Sequence, residues 1–147
     1  MGYLSALDIS ASGLSAQRLW MDTIAQNIAN ANTTRTENGL PYRRKTVIFE
    51  ERKAEESFSS YLNKSSNELL NAKGVKVSRI VEDQSPYRRV YNPGHPDADE
   101  DGYVNMPNVD TITEMVNMIS ATRAYEANIT AINTTKSMAM KALDIIK

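Results

Sequence analysis

The acidic run Asp97-Ala98-Asp99-Glu100-Asp101-Gly102 is the densest set of potential metal ligands in the chain. Asp97, Asp99 and Asp101 fit positions 1, 3 and 5 of a calcium loop, and Gly102 fits position 6. Position 12 falls on Asn108, which has no bidentate carboxylate to offer. Pro93-Gly94-His95-Pro96, just upstream, forbids an entering helix. The run therefore reads as an acidic turn leading into a short strand at Tyr103-Val104. His95 is the only histidine. No placed partner for acid–base work accompanies it, so it reads as a turn residue. With no cysteine and one histidine, disulfides, thiolate zinc sites, cysteine nucleophiles and multi-histidine metal sites are excluded. No glycine-rich phosphate loop or serine-nucleophile elbow is present. Neither catalysis nor a cofactor is expected. Arg43-Arg44-Lys45 and Arg88-Arg89 are short basic clusters. Against a formal net charge of −1 they do not make a nucleic-acid surface. They read as solvated strand faces or as ion-pair partners between subunits.

The remaining signal lies in the elements. The 147 residues amount to one domain's worth of chain. No run of about 18 apolar residues exists, so no membrane span is expected. No basic residue precedes Arg18 and Asp8 interrupts the apolar start, so no secretory signal is expected. Residues 4–31 read as a helix. Leu7, Leu14, Met21 and Ile28 recur every seven residues, with Ile24 and Ala31 three further on, which makes a seam of coiled-coil type. Before Arg35 only Asp8, Arg18 and Asp22 carry charge, fewer than a solvated helix shows. This helix is expected to be surrounded by protein on several sides. Gly13 costs about 1 kcal/mol against Ala, which close approach of a neighbouring helix would offset.

A second helix is predicted from residue 111 to 147. Thr111-x-x-Glu114 fits a capping box, with Asp110 as a competing N-cap. One apolar stripe runs Ile112, Met115, Ile119, Thr122, Ile129, Met140, Leu143. Another runs Met118, Ala121, Tyr125, Ile132, Ala139, Ala142, Ile146. At about 1.5 Å per residue such a helix spans about 55 Å, while a compact globule of this length has a radius of gyration of about 15 Å. It must protrude or lie in a bundle with other chains. Between the helices, Tyr42–Glu50 reads as an exposed strand and residues 53–72 as a loop or weak helix. Gly74–Glu82 alternates with period two, as a strand does. After the turn Gln84-Ser85-Pro86, Tyr87–Tyr91 is a candidate partner strand. The expected fold is mainly α, with long N- and C-terminal helices packed as a coiled-coil-like hairpin around a small β-rich insert. Its parts are residues 1–35, a middle part 36–106 with a polar loop at 53–72, and residues 107–147.

Several stretches carry a resemblance. Ile24-Ala25-Gln26-Asn27-Ile28-Ala29-Asn30-Ala31-Asn32-Thr33-Thr34 resembles the N-terminal signature of flagellar rod, hook and hook-associated proteins. Gly39-Leu40-Pro41-Tyr42-Arg43-Arg44-Lys45 looks like its continuation in a rod subunit. The stretch His95–Val104 followed by Pro107-Asn108-Val109 is similar to the segment before the last helix of such proteins. Glu114-Met115-Val116-Asn117-Met118-Ile119, Arg123-Ala124-Tyr125-Glu126-Ala127-Asn128 and Ala142-Leu143-Asp144-Ile145 are similar to the C-terminal signature. The resemblance covers about residues 1–50 and 86–147; residues 53–72 carry no motif. It implies a structural subunit of the proximal rod of the bacterial flagellar basal body. Such a subunit polymerises through its terminal helices into a rod that crosses the periplasm and transmits motor torque. It leaves the cell through the flagellar type III export apparatus without a cleaved signal. Implied partners are other copies of itself, other flagellar rod proteins, and rod-base, ring and export-gate components.

Seams and signatures together nominate an assembly interface. On the first helix it comprises Leu7, Leu14, Met21, Ile24, Asn27, Ile28, Asn30 and Asn32. On the second it comprises Met115, Met118, Ile119, Arg123, Tyr125, Glu126, Asn128, Ile129, Ile132 and Leu143. The competing reading is a soluble helical adaptor or export chaperone that binds apolar partner helices. That class carries charged outer helix faces, which residues 1–34 lack.

Overall fold

The computed structural model describes residues 3–52 and 74–144. The loop or weak helix expected at 53–72 lies outside the described residues. Helix α1 spans Tyr3–Ala29 and helix α2 spans Thr111–Asp144; between them lie β1 (Lys45–Glu51), β2 (Val75–Glu82), β3 (Arg88–Tyr91) and β4 (Tyr103–Met106). The fold is thus two terminal helices with small antiparallel strand pairs between them.

α1 runs unbroken because no proline interrupts it. It ends where Asn30 turns its side chain back: Nδ2 donates to the Gln26 carbonyl, and Oδ1 accepts from the Thr33 hydroxyl. α2 starts at Asp110, whose carboxylate accepts from the backbone N–H groups of Ile112 and Thr113 and from the Thr113 hydroxyl. The capping box is therefore corrected in favour of the competing cap. Asp110 satisfies the free N–H groups of the first turn, and Glu114 faces the protein interior.

Burial separates the two apolar stripes of α2. Glu114, Met118, Ala121, Tyr125, Asn128 and Ile132 are withdrawn from solvent at 3/4 spacing, with Asn117, Thr122, Ala124, Thr135 and Ala139 half-buried beside or beyond them. These include the second stripe as far as Ile132; Ala139 is half-buried, Ala142 is exposed, and Ile146 lies outside the described residues. The first stripe is outside: Ile112 is 69% exposed, Met115 51% and Ile119 55%. On α1 the centre of the buried face is Gly13, Ala16, Thr23, Ile24 and Asn27. Leu7, Leu14, Met21 and Ile28 are half-buried on its flank. Small residues hold the centre because they permit close approach, and the larger apolar residues wrap its edge. Asp8, Ala11, Ser15, Arg18, Asp22, Ala25 and Ala29 form the opposite, exposed face.

The chain divides into two compact units, and both helices contribute to each. In one, Gly13 lies against Asn128: a Cβ there would sit 2.9 Å from Asn128 Oδ1. The Asn128 amide is held by donation to the Ala124 carbonyl. This is the close approach that the mid-helix glycine suggests. In the same unit Gly74 packs against Ser12, whose hydroxyl accepts from the Val75 N–H and donates to the Ile9 carbonyl. Arg52 N–H donates to the Gly74 carbonyl where β1 meets β2.

The other unit holds the β3–β4 hairpin, paired antiparallel from Arg88↔Met106 to Tyr91↔Tyr103. The segment Tyr87–Tyr91 therefore pairs with β4, while β2 pairs with β1. The reason lies in the connecting turn. Asp99 accepts from the Tyr103 N–H and from Arg89 Nη2, and Gly102 adopts φ +79°, which closes the loop back onto β3. The Tyr91 and Tyr103 rings meet edge to face at 5.3 Å, and Val104 is buried.

Candidate assembly interface

Among the described residues the polar side chain with the fullest set of hydrogen bonds is Asn27, which is 1% exposed. Its helix delivers it to the start of β1, where every hydrogen-bonding position is used. Nδ2 donates to the Lys45 carbonyl at 2.8 Å and to Glu114 Oε2 at 2.9 Å. Oδ1 accepts from the Lys45 N–H at 2.9 Å and from the Tyr42 hydroxyl at 3.0 Å. Glu114, also 1% exposed, is the acidic centre of this knot. Its Oε1 accepts from Arg44 Nε at 2.9 Å and pairs with Arg44 Nη2 at 2.7 Å. Arg44 is further held by Thr46 Oγ1 and by Asp83 at 3.8 Å. Asn108 closes the base: Oδ1 accepts from the Arg44 N–H, and Nδ2 donates to the Asp83 carbonyl.

This arrangement can hold two helices and a strand in one geometry. A buried carboxylate demands a partner, and the guanidinium supplies it in a side-on, two-donor contact. Burial pushes the Tyr42 phenol above its ordinary 10.0, with Glu82 and Glu114 adding to the shift. The Ser85 hydroxyl and N–H, donating to Asp83, hold that carboxyl below its usual range, with Arg44 and Arg43 helping. The basic cluster is thus spent within the chain. Arg44 faces Glu114, Lys45 lies over the Tyr42 ring, and Arg43 stacks on Tyr87 at 4.5 Å.

The acidic run is occupied in the same way. Asp97 accepts from the Thr34 hydroxyl, and its backbone N–H donates to His95 Nδ1. Asp99 faces Arg89 and the Tyr103 N–H. Among the described residues no three acidic or histidine side chains converge on a metal position. No described helix is long and apolar enough to cross a membrane.

The structure sorts the nominated interface residues into two sets. Ile24 and Asn27 are buried against their own chain; Leu7, Leu14, Met21, Ile28, Met118, Tyr125, Asn128 and Ile132 are half-buried on or beside the inner faces. Asn30 is half-buried at the end of α1. Asn32, Met115, Ile119, Arg123, Glu126, Ile129 and Leu143 are exposed. The sequence names Arg44, Tyr42, Asn108 and Glu114 only in other roles, in a basic cluster, a strand, a calcium-loop position and a capping box, and does not bring them together with Asn27. One signal was available: Glu114 continues the inner stripe one turn before Met118, and a carboxylate on such a stripe needs a buried cation.

These features define a scaffold whose helices are tied to small strand pairs and whose second helix opens with an exposed apolar face. Two family models match it. "Flagella basal body rod protein" matches residues 7–35, and "Flagellar basal body rod FlgEFG protein C-terminal" matches residues 100–145. The chain is 52% identical to flagellar basal-body rod protein FlgC of Bacillus subtilis, over 97% of both chains. It is 44% identical to FlgC of Borreliella burgdorferi over 100% of this chain and 99% of the relative. It is 42% identical to FlgC of Salmonella typhimurium over 99% and 98%. The chain belongs to the FlgC family of flagellar basal-body rod proteins. It is a structural rod subunit of the basal body and assembles with other basal-body components.

Proposed function

We propose that this subunit polymerises in the proximal rod through the outer faces of its two terminal helices and so carries motor torque across the periplasm. Residues 1–35 and 107–147 form the rod core in this reading, and residues 36–106 form the middle part. The observation that carries it is the exposed apolar start of α2, where Ile112, Met115, Val116 and Ile119 lie on one side of the first three turns. Burying such a face gains about 25 cal/mol per Å² of apolar surface. The hairpin draws support from two contacts. Asn27 meets Glu114 and Gly13 meets Asn128, a fourteen-residue step along each helix in opposite directions. Export through the flagellar type III apparatus without a cleaved signal, and contact with other copies, other rod proteins, and rod-base, ring and export-gate components, belong to the same reading.

The test is Ile119→Asp in a strain whose own rod gene is deleted. Export into the medium, incorporation into isolated basal bodies and swimming are measured separately. The expected outcome is normal export with lost incorporation and lost swimming. An exported variant that enters basal bodies at the normal level and supports normal swimming refutes the reading.

A further inference from the structure

We infer that the exposed face of α1 in one copy packs on the exposed stripe of α2 in a second copy, antiparallel and in a single register. The inference rests on the polymerising reading above and goes further by naming which surfaces meet. α1 presents the exposed positions 8, 11, 15, 18, 22, 25 and 29, alternating in steps of three and four. The outer stripe of α2 runs 115, 119, 122, 126, 129, 133 and 136 with the same alternation. At about 100° per residue, each set is a seam of coiled-coil type. The α1 seam faces away from that helix's inner face, whereas the α2 seam lies about a quarter turn from its own, with Thr122 half-buried; a second copy can cover the members of both that the described residues leave exposed.

Setting Arg18 opposite Glu126 fixes everything else. Asp8 then falls opposite Lys136, and Asp22 opposite Thr122 with Arg123 beside it. All three charges of α1 are exposed, and so are Arg123, Glu126 and Lys136. The remaining layers match small residues to large ones: Ala29 to Met115, Ala25 to Ile119 and Ser15 to Ile129. The large members are 51%, 55% and 38% exposed in the single chain. Ala11 meets Asn133. Asp8 also has a loose surface contact with Arg52 at 3.6 Å, which a nearer cation can replace.

Other alignments fail on chemistry. Sliding one heptad sets Asp22 against Ile129 or Met115 and Asp8 against Leu143 or Ile129, leaving carboxylates buried on hydrocarbon. Parallel alignments put Asp22 on Glu126, Arg18 on Ile129, or Asp8 on Glu126. The contact is heterologous: each copy offers one seam to each of two neighbours, so it propagates instead of closing a dimer.

The chain has no cysteine, so single cysteines report cleanly. Ala25→Cys and Ile119→Cys are made on separate copies and expressed together, and basal bodies are isolated and mildly oxidised. A disulfide needs Cα atoms within about 7 Å. The expected result is a subunit dimer from this mixture, and about tenfold less from Ala25→Cys mixed with Ile112→Cys or Glu126→Cys. Equal yields from all three mixtures, no dimer, or cross-linking to a different protein overturns the register. Absence of every variant from basal bodies overturns the polymerising reading and this inference together. As a second measurement, Arg18→Glu is expected to lower incorporation about tenfold, and Arg18→Glu with Glu126→Arg is expected to restore it. Both side chains are exposed, so folding is spared. Failure of the reciprocal swap to restore incorporation also overturns the register.

Discussion

Replacing Glu114 by alanine tests whether the buried knot holds this fold. The carboxylate takes two charge-assisted bonds from Arg44, one bond from Asn27 and a longer one from Asn117 Nδ2 at 3.4 Å. Breaking one side of a buried ion pair costs about 3–5 kcal/mol, because the other charge is left behind. Two features reduce the effect. The Arg44 side chain is 25% exposed, and Asp83 lies 3.8 Å from its Nη1, so part of the charge can find another partner. Asn27 keeps its bond to the Lys45 carbonyl. The expected loss is therefore about 3 kcal/mol, at the low end of that range. Against a total stability of about 5–15 kcal/mol this is a large fraction. Glu114→Gln keeps an acceptor and loses the charge, so it should fall about halfway. Glu126→Ala, on the exposed face, should change stability by less than about 0.5 kcal/mol. Urea unfolding followed by the fluorescence of Trp20, the only tryptophan, reads all three. A loss below about 1 kcal/mol for Glu114→Ala, or equal losses for Glu114→Ala and Glu126→Ala, refutes the argument.

The Tyr42 phenol is raised by burial, so its neutral form stabilises the fold fully below its ordinary 10.0, and that contribution is lost as pH rises through the folded value. Absorbance titration should show one tyrosine ionising late, and Tyr42→Phe should remove that step and cost about 1 kcal/mol through the lost bond to Asn27. Gly74→Ala forces a methyl into Ser12 and displaces the hydroxyl that receives the Val75 N–H; thermal unfolding should show a loss of about 1–3 kcal/mol. The register proposed between copies is offset by three residues from the contacts within one chain, so neighbours paired through α1 and α2 should be displaced by about 4.5 Å along the helix axis, measurable in a cryo-EM map of the rod.

Both helices were legible because their apolar spacing is long and no proline breaks it. Which stripe faces inward was not. On α2 both stripes are apolar, and the inner one differs only in carrying Ala121 and Asn128, which let another backbone approach. On α1 the large residues Leu7, Leu14, Met21 and Ile28 drew the seam to themselves, while the true centre is Gly13, Ala16, Thr23 and Asn27, which hydropathy undervalues. The strand pairing went astray at Tyr87–Tyr91 because a four-residue strand carries little register information. The turn that selects β4 works through Asp99 and Arg89, a side-chain contact without a periodic signature. Glu114 was read locally, as part of a cap, because its partner Arg44 lies 70 residues away.

That distance has a consequence for how the subunit comes to be folded. Asn27 finds Glu114 across 87 residues, and Arg44 reaches the same carboxylate across 70. Closing loops of that size loses chain entropy before any contact repays it, and contacts so remote in sequence form slowly. The contacts that join the two helices, Asn27 to Glu114 and Gly13 to Asn128, form only when the opposite terminus of the chain is present. A chain threaded end-first through a narrow channel therefore has no finished hairpin to jam the passage, because the partner of the leading helix is the last part to arrive.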